Sequence, residues 1–149
     1  MEKIYLDACC LNRPFDDQTQ ERIRLEAEAV LLILNRFQQG LEHWVASTTL
    51  EYEIRQTPDA ERRRRVLSLL HSRHSAVKAE SGEVVRAGEL QALGFKAVDS
   101  LHIACAEKAG CALLLTTDDR LLRAARRNAA QLCVRVVNPV TWLGEESAS

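Results

Sequence analysis

The 149-residue chain has no apolar run near the roughly 20 residues that a membrane span requires. Charge interrupts its longest hydrophobic stretches, which excludes a membrane-spanning class. It has no strong charge of either sign: 20 Lys and Arg against 21 Asp and Glu leave a formal net charge of −1. No global polyanion-binding signature exists, so any nucleic acid must be met by local patches. It has no Cys-x-x-Cys pair, and its five cysteines (Cys9, Cys10, Cys105, Cys111, Cys133) are odd in number and set in apolar contexts. Those features argue against a zinc or disulfide framework and for buried reduced thiols. The chain shows no internal repeat, low-complexity tract or linker. Its opening, Met1-Glu2-Lys3-Ile4, runs straight into an apolar segment where no signal peptide fits, so the expected location is cytoplasmic.

What is present is ordinary for a globular domain: 46% hydrophobic and 28% charged residues. The length suits one domain, expected over residues 1–144, with residues 145–149 as a frayed tail. Residues 3–7 read as a first strand and 12–17 as a turn. Ile23, Ala27, Val30, Leu34 and Phe37 recur at helical spacing, which predicts a helix from about Thr19 to Gln39, stopped by Gly40. Trp44 to Ala46 reads as a second strand, and Ser47 or Thr48 can cap the helix that follows. Further helices are expected from Pro58-Asp59 to Leu70, from Ser81 to Leu90, from Lys96 to Lys108 and over 119–127. Strands are expected over 111–116 and 133–137, with a small edge strand or link near Ala76 to Ala79. This alternation predicts an α/β fold, a three-layer α/β/α sandwich around a mostly parallel sheet.

Four acids then stand out by position. Asp7 ends the apolar run Ile4-Tyr5-Leu6, and Asp118 ends Ala112 to Thr117. In parallel sheets ligands bind outside the carboxyl ends of the strands. Asp99 opens an apolar helix, and either Glu51 or Glu53 lies on another helix flanking the same edge. Each has a plainer reading. Asp7 can end a strand, Asp99 can complement a helix dipole, and Asp118 or its neighbour Asp119 can cap a helix. Together, carboxylates on one rim are costly unless a hard cation neutralises them. That set suits Mg²⁺ or Mn²⁺ and phosphodiester chemistry.

At these residues the chain resembles the PIN-domain ribonucleases, of the VapC-like kind found in bacterial toxin–antitoxin pairs, over about residues 3 to 143. Ile4-Tyr5-Leu6-Asp7 resembles the family's first strand and catalytic Asp. Ser47-Thr48-Thr49-Leu50-Glu51-Tyr52-Glu53-Ile54 resembles its Glu segment, and the spacing from the leading Ser places that Glu at Glu53. Asp99-Ser100-Leu101-His102-Ile103-Ala104 and Leu114-Leu115-Thr116-Thr117-Asp118 resemble its remaining two motifs. Cys9 stands where the family commonly has a small polar residue, and Asn12 to Asp17 is insertion-like. The resemblance implies a PIN-like sheet, Mg²⁺ or Mn²⁺, RNA cleavage, a homodimer and an antitoxin partner.

The expected function is thus metal-dependent endoribonuclease, with Asp7, Glu53, Asp99 and Asp118 catalytic and Asp7, Asp99 and Asp118 on the metal. The alternative is a PIN-like module that binds RNA or protein with little or no catalysis. A phosphoryl-transfer enzyme with Asp7 as nucleophile ranks below both, because Cys9 occupies the place of its usual second Asp. Arg123, Arg126 and Arg127 are the candidate RNA contacts, while the run Arg62 to Arg65 covers all sides of a helix and reads as a solvated surface. His102, one turn after Asp99, could reach the site, but the simpler reading is a partly buried histidine with a hydrogen-bond partner.

Overall fold

The computed structural model describes residues 1–148. A five-stranded sheet in the order β3-β2-β1-β4-β5 forms its centre, and every pairing is parallel. The strands are β1 (Lys3–Leu6), β2 (His43–Ser47), β3 (Ser75–Val77), β4 (Leu113–Leu115) and β5 (Arg135–Val137). The helices are α1 (Ala8–Asn12), α2 (Glu21–Gln38), α3 (Thr48–Arg55), α4 (Ala60–Leu70), α5 (Ser81–Ala92), α6 (Ala97–Lys108), α7 (Asp119–Arg127) and α8 (Pro139–Ala148).

Strand β1 is central, and Ile4, Tyr5 and Leu6 are all fully buried. That continuous burial is what a strand covered on both faces requires. Period-two alternation assigns the faces. Tyr5 reaches Ser47 and the α6 residue His102 on one side. Trp44, level with Ile4 in the register, stacks on Phe37 of α2 at 5.4 Å on the other. Helices therefore cover both faces, and the three-layer α/β/α expectation holds. Chain order reverses at β1, which places a topological switch point between the ends of β1 and β4.

Two glycines set how helices hand over to central strands. Gly40 (φ 76°) and Gly110 (φ 74°) lie just past α2 and α6 in the left-handed region. Each donates to a carbonyl of the last turn while the next residue donates one residue further back (Leu41 to Arg36, Cys111 to Ala106). This paired closure satisfies orphan carbonyls and turns the chain into β2 and β4.

Three local expectations are corrected. Residues 8–15 form α1 and a 3-10 turn, where only a strand end and a loop were expected. Residues 139–148 form α8, so the expected frayed segment is helical as far as Ala148, and Arg135 binds both Glu145 oxygens at 2.6 and 2.7 Å. Ser149 lies outside the described residues. Finally, Cys10, Cys105 and Cys111 are buried, but Cys9 and Cys133, expected to be buried too, are exposed. Among the described residues no helix is long and apolar enough to cross a membrane.

Candidate functional site

Asp7 leaves β1 as its backbone N–H donates to the Leu115 carbonyl of β4 at 3.2 Å. It then caps α1, its carboxylate accepting the Cys10 N–H at 3.0 Å. Only 4% of the residue is exposed. Burial raises its pKa from 3.8 to about 6 against the pull of a Thr116 hydrogen bond, the Cys10 N–H and His102; Asp99 adds to the rise. The Thr116 hydroxyl also accepts the Asp118 N–H at 3.0 Å, so one side chain links the ends of β1 and β4.

Asp118 caps α7, accepting the N–H groups of Arg120 and Leu121 at 2.9 and 3.3 Å. Asp119, the alternative, faces away: both its oxygens are held by Arg22 at 2.7 Å. Asp99, in the first turn of α6, is half-buried. Burial pushes its carboxyl up, as do Asp118 and Glu53, while His102 and Lys96 oppose the rise. On α3, Glu51 pairs with Arg55 at 3.2 Å on the outside, whereas Glu53 accepts from His102 Nε2 at 2.8 Å. The two glutamates thus take different faces; Glu53 and Asp118 both act on Asp99, which in turn acts on Asp7. Cys9 lies within the same field. Although the residue reaches the surface, crowding by neighbouring atoms strips water from its thiol, and with the charges of Asp7, Asp118, Glu53 and Asp99 this pushes it far above the ordinary range, so it stays neutral.

The donor chemistry fits a hard divalent cation, because a cation would offset the burial that chiefly raises Asp7 and Asp99 and the repulsion that adds to it. Among the described residues no three His, Cys, Asp or Glu side chains are gathered closely enough to hold an ion unaided.

The basic residues separate into committed and free. Arg62 binds Asp16, Asn12 and the Phe15 carbonyl; Arg63 binds the Thr57 carbonyl; Arg64 and Arg65 bind Glu61. The four-arginine run thus braces its own neighbourhood. Arg13 is likewise held, by Glu26 and Asp16. Arg123, Arg126 and Arg127 are exposed on α7 and, among the described residues, make no hydrogen bond or ion pair. They lie five to nine residues beyond Asp118, roughly 7–14 Å at helical rise. A concavity of about 600 Å³ between α7 and β5 shares only Arg126 with these candidates and contains none of the four acids. For a polymer laid across an open edge, the charge pattern is the better guide than concavity.

Sequence reasoning missed Tyr5 and Ser47. Tyr5 Oη lies 2.6 Å from Ser47 Oγ and 2.6 Å from His102 Nδ1, fully buried, and burial pushes its phenol pKa well up. The available signal was a tyrosine inside an apolar strand, whose hydroxyl needs a buried partner. His102 itself is 1% exposed, more deeply buried than expected, with partners on both ring nitrogens.

A sequence model of the PIN domain matches residues 4–127. The chain belongs to the PIN domain family, whose members are generally nucleases. No individual curated protein matches it. Its fold is similar to a solved structure of VapBC2 from Rickettsia felis bound to a DNA fragment from its promoter. The TM-score there is 0.53 at 13% identity, over 91% of this chain and 98% of that one. It is also similar to DNA-bound VapBC from Salmonella typhimurium, with TM-score 0.54 at 16% identity, over 93% and 99% of the two chains. These likenesses establish the shared fold.

Proposed function

We propose that this chain is a VapC-like, divalent-metal-dependent endoribonuclease. The observation that carries the reading is the opposed burial and repulsion at the switch point: Asp7, nearly inaccessible, has its pKa lifted to about 6 on a rim it shares with Asp99, Asp118 and Glu53. A structural carboxylate at such a place would find a cationic partner in the chain. Asp7 is given only hydrogen-bond donors.

Asp7, Asp99 and Asp118 would be the residues to hold Mg²⁺ or Mn²⁺, with water supplying what no three of the side chains provide together, and Glu53 would orient the attacking water. When bound, the ion supplies Lewis-acid polarisation of the phosphodiester and a lowered pKa for water. The chain's own work is positional. Thr116 keeps Asp7 and Asp118 together across two strands. His102 presents Glu53. Arg123, Arg126 and Arg127 attract the RNA backbone toward the edge. The VapBC neighbours support an antitoxin partner and a toxin role, with the protein acting as a homodimer in the cytoplasm.

Calorimetric titration of Mn²⁺ beside cleavage of a fluorescent single-stranded RNA tests this. Heat of binding and cleavage that EDTA abolishes are expected. Binding of RNA with neither metal heat nor cleavage would overturn the reading in favour of a non-catalytic module. For the RNA contacts, the triple substitution of Arg123, Arg126 and Arg127 by alanine is expected to raise KM and leave kcat nearly unchanged. The slope of log K against log salt should fall by about 2, at roughly 0.7 per phosphate contact on a single strand. An unchanged salt slope would remove these arginines from the RNA path.

A further inference from the structure

We propose that His102, held by Tyr5, is a positioning residue that fixes the Glu53 carboxylate on the acidic edge; this rests on the nuclease reading for its use, but not for its geometry. Five groups form one hydrogen-bonded line. The Leu50 N–H donates to Ser47 Oγ at 3.0 Å, Ser47 Oγ lies 2.6 Å from Tyr5 Oη, Tyr5 Oη lies 2.6 Å from His102 Nδ1, and His102 Nε2 lies 2.8 Å from Glu53 Oε1.

Donor accounting sets the direction of this line. A carboxylate only accepts, so His102 Nε2 carries a proton and donates to Glu53. In a neutral ring Nδ1 is then the acceptor, and the Tyr5 O–H donates to it. The Tyr5 oxygen is left to accept the Ser47 O–H, and the Ser47 oxygen accepts the Leu50 N–H that its helix cap already supplies. Every donor finds one acceptor, and no other arrangement with a neutral ring gives Glu53 a proton to accept.

The line also begins and ends on the same helix. Ser47 caps α3 and Glu53 lies on it; between them the line crosses β1 through Tyr5 and α6 through His102. Tyr5 is two residues from Asp7, and His102 is one helical turn from Asp99. One circuit therefore ties together three of the four elements that carry the acids. Glu53 needs that tie. Its side chain is 39% exposed, and His102 is its sole hydrogen-bond partner among the described residues. Without that donor the carboxylate would swing among solvent-facing rotamers, away from the repulsion of Asp99.

The test has an arm that needs no metal and an arm that needs activity. Two-bond ¹H–¹⁵N correlation spectra of metal-free, ¹⁵N-histidine-labelled protein report the tautomer, with His102→Gln assigning the His102 signals among the four histidines. The expected ring carries its proton on Nε2; a ring protonated on Nδ1 alone overturns the proposal. In the activity arm, His102→Leu is expected to lower kcat for single-stranded RNA about 10–100-fold, the usual effect of removing an orienting partner. KM for RNA should hardly move. His102→Gln, which returns an N–H near the place of Nε2, should recover most of that loss. Glu53→Gln combined with His102→Leu should be no worse than Glu53→Gln alone, because the two act as one unit. Tyr5→Phe, which keeps the ring and packing, should lower kcat in the same sense if the leucine variant fails to fold. Wild-type kcat in both His102→Leu and Tyr5→Phe overturns the proposal. A wild type that shows the Nε2 tautomer and cleaves no RNA supports the circuit and overturns the nuclease reading instead.

Discussion

Replacing Asp7 by asparagine is expected to abolish the proposed RNA cleavage and at the same time to make the metal-free protein more stable at neutral pH. The loss follows from the role proposed for Asp7. A metal's stabilisation of the transition state amounts to several kcal/mol, so losing its central ligand costs at least about a hundredfold in rate. The gain follows from burial. The Asp7 carboxyl is lifted to about 6 in the folded chain from 3.8 when unfolded. The folded state thus holds the Asp7 proton more tightly than the unfolded state does.

As pH rises from about 4 to about 6 the unfolded chain gives up that proton first, and stability falls across this window. Below it both states are protonated and the penalty vanishes; above it the full penalty of about 3 kcal/mol applies, at 1.36 kcal/mol per unit. Asparagine carries no charge and caps a helix as well as aspartate does, so Asp7→Asn escapes the penalty. Urea denaturation of both proteins at pH 4 and pH 7 checks this: the variant's advantage should appear only at the higher pH. Saturating Mn²⁺ should then reverse the order, since only the wild type gains ligand stabilisation. Equal stabilities at pH 7, or cleavage retained by the variant, would sink the assignment of Asp7.

Glu26→Ala is expected to be the most destabilising of the single changes considered, by about 3–5 kcal/mol, the range for removing one partner of a buried charged network. The Glu26 side chain is 3% exposed and has three partners: Arg13 Nε at 2.8 Å, Arg22 Nε at 3.2 Å and Asn138 Nδ2 at 2.7 Å. Arg22 is half exposed and its share is small, because solvent screens it. Arg13 and Asn138 are mostly covered, and each would lose an acceptor it cannot easily replace with water. Glu26→Gln keeps an oxygen in place and should cost less than half as much. The midpoint of urea unfolding separates the two variants. The damage should reach function too. Arg22 also holds Asp119 and the Thr117 carbonyl, the residues on either side of Asp118.

That network also shows where sequence reading reaches its limit. The strands and most helices were legible because their signals are local: the apolar runs at 4–6 and 113–115, the helical stripe from Ile23 to Phe37, the glycines at 40 and 110. Between Asp118 and Asp119 the motif resemblance alone favours Asp118; what separates them in the fold is Arg22, 97 residues earlier, which takes both oxygens of Asp119. Glu53 and Glu51 were inseparable by helical spacing alone, and they are separated by His102 on another helix. α1 was hidden by the turn-forming Asn12-Arg13-Pro14, although Asp7 supplied a cap for it. α8 went unexpected because its short segment carries no helical stripe of its own, although Pro139 stands at a first helical position, where proline starts a helix well.

The strand order has a consequence during synthesis. Residues 4–6 are made before either of their neighbouring strands, and their partners on one side, 113–115, follow more than a hundred residues later. A nascent chain can pair β1 with β2 and β3 while the β4 side of Tyr5 and Leu6 lies open. Asp7 and Asp99 are then already translated, but Asp118 and the Thr116 link are not. The acidic edge comes together only after residue 118 has been made and β4 has slotted in beside β1. If the proposed activity holds, the edge stays inert while its earlier strands are being made.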